Sequence, residues 1–386
     1  MISQEICTLA ETIEFRSSQP RKAPNVVCYF RATETEKKQK IEMNKIFKVT
    51  YILSFLILFT NCNSFGQKTN NYSAKIDSLI KTTNVRQFNG VVLIAEKGKI
   101  LYSKAYGFKN FEQKTELNID DQFEIMSNSK QITAVLLLKE VENGNVELKS
   151  PIKKYLPKLT HSWADSVTVH QLLNHTHGIA DLEKPLSFKP GTEYKYGDLS
   201  NILLGKIIEF STKRTYSENA TELFKNLKMK NTFAFSKEKM QKVVSGHINK
   251  ENTFKVVNST KINEENIPAD GIITTIKDLV IWNNNLHKGK ILKPETYKLM
   301  TTSTVFAQHD VFGIEKVGYG YGIRICEKEK TKYIGHTGLG DGFASMNLYF
   351  PKKDLSIIVL ENQMNDKIEL CYHFEIEIKK IIQQAN

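Results

Sequence analysis

Hydrophobic and polar positions along the 386-residue chain fall into three regimes. In the first, Ile76, Leu79 and Ile80 recur at helical spacing, which predicts an amphipathic helix over 72–82. The run 90–95 is continuously apolar, as a buried strand is, and 100–107 alternates. Lys97-Gly98-Lys99 between them predicts a hairpin. After a polar loop, Phe123-Glu124-Ile125-Met126 leads into Ser127. Ile132, Val135 and Leu136 then fall at i, i+3 and i+4, so a helix should start at Ser127, run to about Glu142 and close at Gly144.

The second regime, 158–265, reads as mostly helical, with helices at 167–174, 199–211 and 218–227 and little period-two alternation. The stretch 272–286 reads as one further helix with Leu279 and Trp282 on its inner face, and 294–300 as a shorter one. From Gly318 the pattern changes again. Four strands joined by short turns are predicted at 319–326, 332–337, 342–349 and 355–360, then a closing helix at 367–382. Strands at both ends and helices between them predict a mixed α/β (α+β) fold. Its antiparallel sheet should come from 72–150 and 266–386 and carry helices on both faces. An inserted all-α subdomain at 151–265 would leave a crevice for a site.

The N-terminal part reads differently. Lys45 and Lys48 precede a short apolar run at 51–59, and Ser64-Phe65-Gly66 places small residues before Gln67. That is the layout of a secretory signal at 43–66, which implies a periplasmic or secreted mature domain at 67–386. Residues 1–42 then read as a non-native or disordered extension. A lipid anchor through Cys62 is the alternative, although Asn61 fits poorly the small residue expected before a lipidated cysteine. Of the five cysteines, Cys326 and Cys371 would remain after cleavage, expected as two buried thiols, with a single bridge between them as the alternative. The net charge of +12 is spread along the chain without a dense basic block, which disfavours nucleic acid as a partner. Contact with a membrane is expected only through the signal or the anchor.

Candidate chemistry centres on Ser127 and Lys130. Residues three apart on a helix are neighbours, and a hydroxyl beside an amine at a helix start is the basic form of an activated nucleophile. The pattern Ser-x-x-Lys occurs four times, also at Ser78/Lys81, Ser150/Lys153 and Ser236/Lys239. Only Ser127 opens a long apolar helix directly after an apolar segment. Two later stretches stand out: Pro190-Gly191-Thr192-Glu193-Tyr194-Lys195-Tyr196-Gly197-Asp198, running into Leu203-Leu204-Gly205-Lys206-Ile207-Ile208-Glu209, and Gly335-His336-Thr337-Gly338-Leu339-Gly340-Asp341-Gly342. No G-x-S-x-G elbow, Walker A or dinucleotide motif occurs. His175-x-His177 lacks a third ligand at useful spacing, so no metal or other cofactor is expected.

Together these segments resemble the serine β-lactamase-related family of class C β-lactamases, DD-peptidases and family VIII esterases. Ser127-Asn128-Ser129-Lys130 matches S-x-x-K. Tyr196-Gly197-Asp198 falls where Y-x-N is expected, and His336-Thr337-Gly338 where K-T-G or H-x-G is expected. Leu172-Leu173-Asn174-His175-Thr176-His177-Gly178-Ile179 is similar to the LL-x-HTSGI loop, and Asp270-Gly271-Ile272 through Asp278-Leu279 to GG-x-x-ST-x-x-DL. The resemblance implies a β-lactamase/DD-peptidase-like antiparallel sheet flanked by helices. It implies an acyl-serine on Ser127, and Lys130, with a lowered pKa, and Tyr196 as proton-transfer groups. It also implies an oxyanion hole from the N–H groups of Ser127 and Leu339, and substrate contacts from Asp198, His336, Thr337 and Gly338. The partner would be a small-molecule or peptide substrate, such as a cell-wall fragment.

Asp198 and His336 depart from the Asn and Lys of efficient β-lactamases, since an ionised carboxylate cannot donate and histidine is only partly charged near neutrality. The expected activity is therefore a DD-peptidase, an esterase or a weak β-lactamase. The alternative is a non-catalytic or slowly acylated binder of cell-wall peptides or β-lactams.

Overall fold

The unbroken apolar sequence of the strand Gly90–Glu96 has a direct cause: both of its faces are buried. Val91 and Leu93 join one core cluster, and Val92 and Ile94 join the other. The computed structural model describes residues 72–82, 85–306, 312–313, 316–327 and 331–385, with Glu34. The signal-like stretch 43–66, the 1–42 extension and Cys7, Cys28 and Cys62 lie outside the described residues.

The strand belongs to an eight-stranded sheet. Its spatial order is Val305–Phe306, Gly318–Tyr319, Arg324–Cys326, Tyr333–Gly340, Phe343–Phe350, Leu355–Glu361, Gly90–Glu96 and Lys99–Tyr106. Every neighbouring pair is antiparallel. The N-terminal hairpin thus docks on the C-terminal meander, with Val92 opposite Val359. On one face the helices Tyr72–Lys81 and His373–Gln384 bury Ile76, Ile80, Phe374 and Ile378. On the other, Ile276–Leu286 buries Leu279, Trp282 and Leu286. Helices on both faces explain why these antiparallel strands read as apolar runs rather than alternating ones.

The helix Ser129–Glu142 lies deeper. It is buried on nearly all sides, among Leu199–Thr212, Tyr216–Leu227 and the short helix Ile267–Asp270. Its sequence accordingly lacks a polar stripe over the first ten residues. It ends as expected, with Gly144 in the left-handed region (φ +77°) just past the cap.

Four elements differ from the sequence expectation. The stretch 272–286 is a strand, Ile272–Thr274, followed by the helix Ile276–Leu286, with the Thr275 hydroxyl capping the Asp278 N–H. The stretch 319–326 is two short strands with a turn at Gly320–Gly322, not one strand. The segment 151–265 is helical to Leu227 and then carries Phe233–Ala234, His247–Lys250 and Thr253–Val256 as strands. A short 3-10 turn, Ile368–Leu370, precedes the closing helix, which begins only at His373.

A buried ion pair ties the sheet's two parts together. The Arg86 guanidinium donates to both carboxylate oxygens of Glu361 at 2.8 and 2.6 Å and to the carbonyls of Leu370 and Cys371. Cys326 and Cys371 are both buried free thiols.

Candidate active site

Ser127 is the one partly exposed residue between Phe123 and Leu138. It sits in a 3-10 turn, Met126–Asn128, immediately before the helix rather than in its first turn. Met126 holds a left-handed backbone (φ +49°), a strained conformation for a side chain of its size. The surroundings fix it. Ser345 Oγ donates to the Ile125 carbonyl at 2.7 Å and accepts from Asn128 Nδ2 at 2.7 Å, while Ser129 Oγ accepts from the Ile272 N–H at 3.0 Å. The strand Tyr333–Gly340 presses on the same turn. A Cβ on Gly338 would lie 2.2 Å from the Ile125 carbonyl oxygen, so only glycine allows this approach.

The serine and lysine meet as their spacing predicts: Lys130 Nζ donates to Ser127 Oγ at 2.8 Å. Two carboxylates share this centre. Lys130 Nζ donates to Asp198 Oδ1 at 2.7 Å and to the Ala269 carbonyl at 3.2 Å, with Asp270 Oδ1 at 3.4 Å. Ser127 Oγ donates to Asp270 Oδ1 at 2.8 Å. The expected lowering of the Lys130 pKa is therefore reversed. Burial opposes the charge, but the fields of Asp270, Tyr196 and Asp198 and the Asp198 hydrogen bond outweigh it and push the pKa above the ordinary lysine value. The carboxylates diverge. For Asp198, burial pushes upward but the Lys130 charge and hydrogen bond win, and its pKa is lowered. For Asp270, burial and the nearby Asp198 charge outweigh Lys130 and Ser127, and its pKa is raised.

Tyr196 stands beside the ammonium, with Lys130 Nζ 5.2 Å from its ring centroid and the Arg324 guanidinium 5.0 Å away. Both distances are within cation–π reach. Behind the ring runs a buried polar chain. Ser200 Oγ lies 3.0 Å from His175 Nδ1, His175 Nε2 lies 3.2 Å from Tyr319 Oη, and Tyr319 Oη lies 3.2 Å from His336 Nε2. The backbone N–H of Lys195 donates to the His175 carbonyl at 2.9 Å, which anchors the loop carrying Tyr196.

The residues expected to contact substrate differ in how they are placed. His336 is fully buried, and its Nδ1 donates to the Thr337 carbonyl at 2.6 Å. Burial, with the charges of Arg324 and Lys130, pushes its pKa well below the usual histidine value, which favours the neutral ring. Thr337 is buried as well, and Gly338 faces the Ile125–Met126 backbone. Asp198 is half exposed, but its carboxylate is engaged by Lys130. Leu339 is partly exposed and pairs with Ala344. Pairing of its strand with Arg324–Cys326 ends at Gly335, so among the described residues its other edge has no strand partner from His336 onward.

Sequence reasoning missed Asp270, Arg324 and the supporting role of Tyr319. A signal for Asp270 existed, because it stands where the related motif has a glycine. Tyr319 and Tyr321 are both buried, and Tyr321 Oη pairs with His170 Nδ1 at 2.7 Å. Of the four Ser-x-x-Lys pairs, Ser127/Lys130 alone stands in such a centre. Ser78 and Lys81 are exposed on a surface helix, and Ser150 Oγ donates to Glu147.

A serine turn before a buried helix, a lysine on that helix and a tyrosine from the helical region, all beside an antiparallel sheet, define a class. The Beta-lactamase family model matches residues 76–374. The chain belongs to the beta-lactamase family, within the serine hydrolase superfamily that includes DD-peptidases. Protein flp of Staphylococcus aureus strain MW2 is 26% identical over 340 residues, covering 80% of this chain and 67% of its own length. The octameric penicillin-binding protein homologue from Pyrococcus abyssi aligns with a TM-score of 0.69 at 25% identity, over 83% of this chain and 78% of its own. D-amino acid amidase from Ochrobactrum anthropi SV3 shares the fold, with a TM-score of 0.68 at 18% identity over 82% of this chain and 99% of its own.

Proposed function

We propose that this chain is a secreted or periplasmic hydrolase that forms an acyl-serine intermediate on Ser127. Its substrate would be a small amide, peptide or ester, such as a D-amino-acid peptide or a cell-wall fragment. The observation that carries the reading is the 2.8 Å contact between Ser127 Oγ and a buried lysine, at the only partly exposed position of that segment. The likeness to a penicillin-binding protein homologue supports an acyl-transfer substrate of this kind, and the signal-like stretch at 43–66 supports export.

In this reading Ser127 Oγ attacks the substrate carbonyl. Lys130, held as an ammonium, orients the oxygen and stabilises the negative charge that develops on it. The N–H groups of Ser127 and Leu339 receive the oxyanion, and Tyr196 passes a proton to the leaving group. Because Asp198 is ionised and engaged by Lys130, it offers no donor to a β-lactam side chain. That favours peptide or ester hydrolysis over efficient β-lactam hydrolysis.

The test is labelling with a fluorophosphonate and a fluorescent penicillin, in the wild type and in Ser127→Ala, beside turnover of nitrocefin, p-nitrophenyl acetate and a D-Ala-D-Ala peptide. Labelling lost in Ser127→Ala, with turnover of at least one substrate, is the expected result. Labelling without turnover would favour a slowly acylated binder, and no labelling by either probe would contradict the acyl-serine itself.

A further inference from the structure

We propose that Asp270 is the base that takes the Ser127 proton, while Lys130 remains an ammonium throughout. This inference rests on the acyl-serine reading above and assigns a role that Lys130 and Tyr196 were expected to share.

Counting protons on named atoms leads there. An ammonium has three N–H bonds and no lone pair. Lys130 Nζ directs them among Ser127 Oγ at 2.8 Å, Asp198 Oδ1 at 2.7 Å and the Ala269 carbonyl at 3.2 Å. With Lys130 donating to Ser127 Oγ, the serine's own hydrogen must point elsewhere, and its acceptor is Asp270 Oδ1 at 2.8 Å. The same oxygen lies farther from Lys130 Nζ, at 3.4 Å. The carboxylates are thus divided by position. Asp198, half exposed at the start of the helix Leu199–Thr212, serves as the lysine's counterion. Asp270, nearly buried at the end of the short helix Ile267–Asp270, faces the reacting hydroxyl. The groups with charge that face Asp270 are Lys130 from the central helix and Asp198 from the loop opposite. Two carboxylates driven apart in this way are the usual mark of separate acid–base roles.

The step balances. The Ser127 O–H bond breaks and its proton passes to Asp270 Oδ1. A bond forms from Oγ to the substrate carbonyl carbon, and the carbonyl π pair moves onto oxygen. When the carbonyl re-forms, the bond from its carbon to the leaving atom breaks, Tyr196 gives that atom its phenolic proton, and the proton held by Asp270 restores the phenol through solvent. In deacylation a water oxygen attacks the acyl carbon, its proton passes to Asp270, and Ser127 Oγ leaves and recovers it.

The experiment compares the rate of fluorophosphonate labelling and the p-nitrophenyl acetate burst in the wild type, Asp270→Asn and Asp270→Glu, with circular dichroism on each. Asp270→Asn should lower the acylation rate by about 100-fold or more, the range of a lost general base, and abolish the acid limb of its pH profile. Asp270→Glu should recover part of the rate. Acylation of a folded Asp270→Asn at the wild-type rate, with its acid limb intact, would overturn the proposal and leave Asp270 a counterion. Should Asp270→Asn not fold, the wild-type profile decides. A rate that levels off once a carboxylate is ionised supports Asp270, and a rate still climbing above about pH 9, as it would if an amine or phenol had first to lose its proton, excludes it. If the wild type is not labelled at Ser127, both proposals fall; if it is labelled and Asp270→Asn is labelled equally fast, only this one does.

Discussion

Ser127 and Lys130 meet side chain to side chain at 2.8 Å across the junction of a 3-10 turn and a buried helix, and the lysine is fully out of solvent. Such a cation is tolerated only because Asp198 and Asp270 face it. Replacing Lys130 by Met should destabilise the protein by about 3 kcal/mol at pH 7, since a nearly buried Asp270 loses its cation. The loss should shrink as the pH falls. Without the lysine, the folded-state pKa of Asp270 rises further above its unfolded value, and a raised carboxyl favours the folded state at low pH. Urea denaturation at pH 4 and pH 7 reads both effects.

Tyr196→Phe keeps the ring between Lys130 and Arg324 and removes only the phenolic oxygen. Amide turnover should fall by about 100-fold or more, as for a lost proton donor. Labelling of Ser127 by a fluorophosphonate, whose fluoride leaving group needs little help, should persist. Equal losses in the two assays would place Tyr196 in a purely structural role.

Gly338→Ala would bring a methyl group within 2.2 Å of the Ile125 carbonyl and 2.9 Å of Met126 Cβ, both next to Ser127. The strand must move away, at about 1–3 kcal/mol of stability. A thermal melt and the Ser127 labelling rate should both fall. Gly144→Ala, where a Cβ meets nothing within 4 Å, tests the contrast: it should lower stability through its positive φ alone and leave labelling unchanged.

Glu124 gives a stability prediction with a definite sign. Burial, and then the charge of Asp341, push its carboxyl from 4.5 to about 7, against a weak hydrogen bond from Thr260. Lys261 approaches through its backbone N–H, which donates to Asp341. A carboxyl raised in the folded state contributes stability below its unfolded pKa and loses it as the pH rises through about 7. Glu124→Gln should therefore exceed the wild type in stability at pH 8, by at most about 3 kcal/mol, and converge with it near pH 4. Denaturation midpoints at the two values check it.

Much of the scaffold was legible because burial on both faces writes itself as apolar runs. The strands Gly90–Glu96 and Leu355–Glu361 and the helix Leu199–Thr212 were readable within two residues of their ends. Ile272–Thr274 was not, because its three buried residues merge with the apolar start of the next helix. Only the Thr275 cap marks the boundary. The hairpin His247–Lys250 and Thr253–Val256 was hidden by its shortness and by a turn at Glu251-Asn252, where two left-handed residues occur without a glycine. At the site, Ser127, Lys130 and Tyr196 lie in recognisable segments and do converge. Asp270 could not be placed, since its contact with Ser127 spans 143 positions and depends on how the short helix Ile267–Asp270 docks. The Lys130 pKa was misjudged for the same reason: the resemblance implies a lowered value, while the fold supplies two carboxylates.

The central claim is that Ser127 becomes acylated. Intact-protein and peptide mass spectrometry after brief incubation with a fluorophosphonate and with p-nitrophenyl acetate tests it directly. A single adduct mapped to the peptide containing Ser127, absent in Ser127→Ala, is the result predicted. An unmodified Ser127 in folded protein, or an adduct of equal yield in Ser127→Ala, would contradict it.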